Sequence, residues 1–126
     1  MEKKIINTIH APAPIGPYNQ AVLAGGQLFI SGQIPLHPST MELVTGSIVD
    51  ETHQVMQNLK AILTEADLGF AHVVKSTIFL SDMELFAEVN EVYGSYFEDL
   101  YPARETVAVK GLPKNVRVEI SMIAIV

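Results

Sequence analysis

The stretch Val116–Val126 constrains the fold more than any other part of the chain. A period of two puts Val116, Val118, Ile120, Met122 and Ala124 on one face of a strand, and Arg117, Glu119, Ser121, Ile123 and Ile125 on the other. The first set must be covered by another layer. The second set is also partly apolar, so neither face is at ease in water.

Two helical stripes can supply the first cover. After a plausible N-cap at Asp50, with Glu51 in the first turn, apolar residues recur at Val55, Met56, Leu59, Ile62, Leu63 and Ala66, and Gly69 suits a C-terminal stop. Ser81-Asp-Met-Glu84 reads as a capping box, followed by Leu85, Phe86, Val89, Val92, Tyr93, Tyr96, Phe97 and Leu100 on a wide apolar face that Pro102 ends. Strands are expected at Gln20–Leu23 and Leu28–Gln33, joined at Gly25-Gly26 as a hairpin, and at Val73–Leu80, which is apolar enough to be buried on both faces. Arg104–Lys110 is expected to pair with Val116–Val126 across Gly111-Leu-Pro-Lys-Asn115. The order is β-β-α-β-α-β-β, with room for a short first strand at Lys4–Ile6. This is a two-layer α+β sandwich in which both helices lie on one face of the sheet. The apolar open face, Ile123 and Ile125 included, points to a second subunit.

The length of 126 residues suits a single domain over 1–126. Charged residues make up 17% against an average of about 25%, and mean hydropathy is +0.27, which excludes a disordered chain. The net charge of -6 leaves little material for the basic face that a nonspecific nucleic-acid binder needs. There is no cysteine, so disulfides and thiolate chemistry are excluded. No signal peptide or membrane-spanning run is evident, and a cytoplasmic location is expected. There is no P-loop, GxGxxG or HExxH, and His10, His37, His53 and His72 lack ligand spacing, so no metal site is expected.

Glu119 is harder to set aside. A carboxylate between Val118 and Ile120 is costly unless it is paired or protonated. In the expected terminal hairpin, Thr106 faces Glu119 and Arg104 is its diagonal neighbour, whereas a one-residue slip would oppose Glu105 to Glu119. Charge pairing alone favours a purely structural ion pair. Gly32, inside the strand Ser31-Gly-Gln33, marks either a bulge or a close approach. Tyr18 in the Pro-rich loop could simply pack that loop, and Asn90 in the second helix could simply be solvated.

Together these residues change the balance. The chain resembles the Rid family of reactive-intermediate deaminases (YjgF/RidA) over nearly its whole length. The resemblance rests on Ala11-Pro-Ala-Pro-Ile-Gly-Pro-Tyr-Asn-Gln-Ala21, Ile30-Ser-Gly-Gln-Ile-Pro35, Gln57-Asn-Leu-Lys60, Val89-Asn90 with Tyr93, Tyr101-Pro-Ala-Arg104, and Leu112-Pro-Lys with Val118-Glu-Ile120. It implies a chorismate-mutase-like homotrimer with ligand pockets between subunits. It also implies cofactor-free hydrolysis of enamines and imines that pyridoxal-phosphate dehydratases form from serine or threonine, giving 2-keto acids and ammonia. Residue by residue, Arg104 matches the grip on the substrate carboxylate and Glu119 the acid that orients or activates water. Tyr18 matches the pocket tyrosine and completes the catalytic set. Ser31, Gly32, Asn90 and Thr106 match pocket-lining positions, with Thr106 standing where many members have cysteine. Glu105 is more acidic than the family pattern suggests, and strand alternation turns it away from Arg104. Two other readings compete: a sensor that binds a keto acid without turning it over, and a ribonuclease, which the acidic charge and the absence of paired catalytic histidines disfavour.

Overall fold

The computed structural model describes residues 1–126. Its elements run β1 (Lys4–Ile6), β2 (Ala21–Ala24), β3 (Gln27–Gln33), α1 (Ile48–Glu65), β4 (Val73–Leu80), α2 (Phe86–Gly94), β5 (Ala103–Ala108) and β6 (Val118–Ile125). One six-stranded sheet has the order β1-β2-β3-β6-β4-β5, with α1 and α2 together on one face. This is the expected two-layer α+β arrangement, with the short first strand present. No helix is long and apolar enough to cross a membrane.

The last two strands depart from expectation. β6 does not pair with β5. It lies antiparallel between β3 and β4, with Leu28 opposite Ala124 and Phe79 opposite Glu119. β5 runs parallel to β4 at the sheet edge, with Ser76 beside Arg104 and Ile78 beside Thr106. The physical reason lies in the two strands' side chains. β6 is apolar enough on both faces to gain from a central position with neighbours on each side. β5 carries Arg104, Glu105 and Thr106 and tolerates an edge. Thr106 is therefore not opposite Glu119, and Arg104 is not its diagonal neighbour.

Alternation then sorts the faces. Val118, Ile120, Met122 and Ala124 are buried under the helices, joined by Ile78, Leu80, Leu28 and Ile30. The outer face of β4 is less covered than expected: Val74 is 47% exposed, so this strand is buried on one side only in the single chain.

Helix α1 buries Val55, Met56, Leu59, Ile62 and Leu63 along one stripe. Its N-cap is Ser47, not Asp50. Ser47 is extended, and its Oγ accepts a hydrogen bond from the Asp50 amide at 3.0 Å. Asp50 and Glu51 then both sit in the positive first turn. Glu51, only 5% exposed, also receives the Arg117 guanidinium on both carboxylate oxygens, which ties the helix start to the start of β6. The chain reverses after α1 at Asp67, in left-handed conformation, before Gly69 is reached. Helix α2 is shorter than its apolar pattern. Asp82 caps a single 3₁₀ turn at Met83–Leu85, and α2 stops at Gly94. Tyr96 and Phe97 lie beyond it and pack by ring contacts, Phe97 at 4.9 Å from Tyr93 and 5.4 Å from Phe70. The β2–β3 hairpin turns at Gly25 and Gly26, whose φ of 59° and 76° suit a primed two-residue turn.

If Ser47 is the cap, Ser47→Ala should cost about 1 kcal/mol in chemical unfolding, and Asp50→Ala a few tenths. Equal costs would return the cap to Asp50.

Candidate active site

The residues singled out in the sequence assemble into two groups, on opposite faces of the sheet. The first begins with the Pro-rich loop. Buried Gln20 holds it: its Nε2 donates to the carbonyls of Thr8 and Pro12, both at 2.9 Å, and its Oε1 accepts from the Thr8 amide at 2.6 Å. That clamp presents Tyr18, whose hydroxyl accepts from the Ile15 amide at 3.3 Å. Ser31 is held against the same loop. Its amide donates to the Gln20 carbonyl at 2.9 Å and its Oγ to the Asn19 carbonyl at 2.7 Å.

Next to Ser31, the β3–β6 ladder slips between Ile30 and Gln33. Gly32 marks a bulge, and what approaches it closely is a side chain rather than a ligand or backbone. A Cβ at position 32 would strike Glu119 Oε2, so the missing side chain is the space that the carboxylate occupies. Glu119 makes no hydrogen bond or ion pair within the chain, whose two salt bridges are Lys75–Glu105 and Arg117–Glu51. Burial pushes its carboxyl above the ordinary range, and no cation in the chain opposes that. Ile15, Tyr18, Ser31, Gly32, Ile34, Pro113 and Glu119 line a depression of about 370 Å³.

The second group lies on the helix side of edge strand β5. The Arg104 Nη1 donates to Asn90 Oδ1 at 2.7 Å. Its guanidinium carbon lies 5.1 Å from the Tyr93 ring centre and 5.7 Å from that of Phe86. Asn90, Tyr93, Gly94, Tyr101, Pro102 and Arg104 border a cleft of about 300 Å³. Thr106 shares this face, and its Oγ1 is buried without a partner. Glu105 points to the other face, as alternation requires, and pairs with Lys75 at 2.9 Å.

The structure thus brings Tyr18, Ser31, Gly32 and Glu119 together, and brings Asn90 together with Arg104 on the face that Thr106 shares. It does not join the two groups within one chain. Sequence reasoning missed Phe86, Tyr93 and Gln20 as supports of these side chains. A signal existed in Ser76, a polar residue in an otherwise apolar strand, which is fully buried and receives the Tyr93 hydroxyl. The largest depression, about 690 Å³ along α1, holds His10, His37, Gln54 and Lys60 but none of the expected residues. It is wide and lined mostly by residues of polar type, and no group of His, Cys, Asp or Glu in the chain could hold a metal ion.

A family model described as Endoribonuclease L-PSP, the model of the Rid group, matches residues 8–126. The chain belongs to the Rid family. It is 54% identical to Protein DfrA of Myxococcus xanthus over 127 residues, covering 99% of this chain and 97% of that protein. It is 47% identical to 2-iminobutanoate/2-iminopropanoate deaminase of Mus musculus, covering 98% of this chain and 91% of the relative. The crystal structure of E. coli TdcF with bound serine matches with a TM-score of 0.93 at 42% identity, covering 98% of each chain.

The Gly32–Glu119 contact yields a direct test. Gly32→Ala should leave cooperative unfolding intact, because the clash is with the movable end of a side chain. A crystal structure should show the Glu119 carboxylate displaced from the depression. An unmoved carboxylate would mean that Gly32 serves the bulge alone.

Proposed function

We propose that this Rid protein hydrolyses small 2-imino acids, 2-iminopropanoate and 2-iminobutanoate with their enamine forms, to 2-keto acids and ammonia, and does so as a homotrimer with sites between subunits. The observation that carries the reading is the complementarity of the two groups. One presents a guanidinium with unused donors. The other presents a carboxylate without a cation, next to space kept free by a glycine. Arg104 stands on an edge strand, within reach of a second copy docking there. The sheet face that carries Glu119 also exposes Phe29, Val107 and Ile125, a surface suited to burial against that copy.

The chemistry follows from the groups. Guanidinium and carboxylate are planar and match through two parallel hydrogen bonds, so Arg104 fixes the 2-imino acid by its carboxylate. That places the imine carbon at a set distance from the partner subunit's Glu119 and makes water attack a positioned step. Glu119 accepts a proton as the water oxygen bonds to the imine carbon. The imine nitrogen, protonated at the outset, becomes the amine of a carbinolamine. Glu119 returns its proton to that nitrogen, and as the C–N bond breaks the hydroxyl proton passes to the carboxylate, releasing ammonia and leaving the keto group. Burial keeps the carboxyl ready to hold the proton it takes up, and the nearby guanidinium favours the ionised form that can accept one at the start of the cycle. Tyr18 closes the wall beside it, while Ser31, Asn90 and Thr106 border the space. No cofactor is required by this scheme. The supply of substrate falls to pyridoxal-phosphate enzymes that dehydrate serine or threonine. Such a role fits a cytoplasmic protein, with neither nucleic acid nor membrane as partner.

The mouse relative's name supports the substrate class, and the serine bound to TdcF supports an amino-acid-sized ligand. A keto-acid sensor is the alternative. What favours it is that Ser31 Oγ and the Tyr18 hydroxyl are already engaged with the backbone, leaving Glu119 as the one free reactive group on its side. The family model's description names an endoribonuclease, but eight Lys and Arg among fourteen Asp and Glu leave little material for a basic surface that RNA could bind.

With threonine dehydratase supplying the intermediate, the wild type should speed keto-acid release. Arg104→Ala should lower that effect by about 100-fold, the value of a charge-assisted bidentate contact, while light scattering still reports a trimer. Unchanged acceleration would remove carboxylate capture. Calorimetric binding of 2-ketobutyrate without acceleration would establish the sensor instead. The intersubunit arrangement has its own test. Glu119 should titrate higher by NMR in the Arg104→Ala trimer than in the wild type, because an opposite charge is lost. Identical titrations would keep the two groups apart.

A further inference from the structure

A long cation on an edge strand ordinarily samples many rotamers in solvent. Arg104 does not have that freedom. Phe86, Asn90 and Tyr93 recur at helical spacing along the one stripe of α2 that faces β5, and all three engage the guanidinium. The rings of Phe86 and Tyr93 offer their electron-rich faces to the cation. Asn90 Oδ1 takes a hydrogen from Nη1, leaving the Nη2 donors without a protein partner.

The support is itself anchored. Tyr93 is 3% exposed, and its hydroxyl donates to Ser76 Oγ at 2.9 Å. Ser76 is fully buried on β4 and is the residue paired with Arg104 in the parallel β4–β5 ladder. The contacts therefore close a ring from β4 through α2 to β5 and back. A carboxylate meeting a free guanidinium must also order that side chain, which weakens binding. Here three neighbours already engage the guanidinium before any ligand is bound.

Resting on the reading of Arg104 as the carboxylate grip, we propose that Phe86, Asn90 and Tyr93 are positioning residues: a platform, anchored through Ser76, that holds the Arg104 guanidinium with one edge free for a planar carboxylate. Asn90 then acts through Arg104 rather than on the ligand.

The test uses the full chain and two readouts. In ligand-free protein, ¹⁵N NMR should show the Arg104 guanidinium nitrogens as restrained, with slow rotation about their C–N bonds. Phe86→Leu and Asn90→Ala should each average those signals. Each should also weaken 2-ketobutyrate binding by roughly 5–10-fold, with KM for the imino acid rising similarly and kcat changing much less. Phe86→Tyr, which restores a ring face, should restore both readouts. Guanidinium signals already averaged in the wild type would overturn the platform. So would variants that lower the thermal midpoint without changing 2-ketobutyrate affinity. The two claims fail separately. A wild type that shows this NMR and binding pattern but hydrolyses no imine refutes the hydrolase and leaves the platform standing.

Discussion

The position of β6 at the centre of the sheet governs the rest of the structure. A strand with Val118, Ile120, Met122 and Ala124 on one face and Ile123 and Ile125 on the other loses most by sitting at an edge, where its backbone groups and side chains would meet water. Pairing on both sides, to β3 and to β4, satisfies the ladder and places the first face under both helices. Once β6 is central, β5 has no place beside it and must add to the far edge of β4. That displacement carries Arg104 and Thr106 to the helix side and leaves Glu119 on the other.

Glu119 is costly in this position. It is half-buried on a central strand, it lacks a cation in its own chain, and its carboxyl holds a proton more tightly than usual. A chain selected for stability alone would place an apolar or hydroxylic residue there, since an unpaired buried charge stabilises nothing. The neighbouring contacts go the other way. Gly32 surrenders a side chain and a regular ladder pair so that the carboxylate has room. Several hydrogen bonds from Gln20 and Ser31 then brace the loop that forms the opposite wall. Local stability is given up at one point and the surroundings are stiffened, which is the pattern of a built site.

The sequence shows elements far better than pairings, and the reason is physical. Periodicity reports which face of a segment is apolar, and that is a local property: the α1 stripe from Val55 to Leu63 and the alternation in β6 were both legible. Strand neighbours are chosen by competition among distant segments. The expected β5–β6 hairpin was the locally nearest solution, and it lost to the burial needs of β6. Boundaries shifted for similar reasons. Asp50 and Ser47 are both capable caps, and only the backbone conformation chooses Ser47. Tyr96 and Phe97 continue the apolar pattern of α2 although the helix has ended, because their rings pack as a turn on Phe70 and Tyr93, whereas Leu100 lies exposed. The candidate residues came from family resemblance, together with the oddity of Glu119 in an apolar strand. Their division between two faces was not, since it depends on the strand order.

That division has a consequence for how such a site can evolve and assemble. Had Arg104 and Glu119 met across a hairpin, as local pairing suggested, they would have neutralised one another in every folded chain. The guanidinium would have been occupied and the carboxylate's proton affinity lowered before any ligand arrived. Separation by the thickness of the sheet prevents this internal ion pair. Each group is instead held by neighbours that do not quench it: Arg104 by two ring faces and a neutral amide, and Glu119 by a glycine gap. Within one folded chain the two groups cannot seek contact as flexible side chains across a hairpin would. The backbone keeps the opposite charges on separate faces, and both stay unpaired with each other.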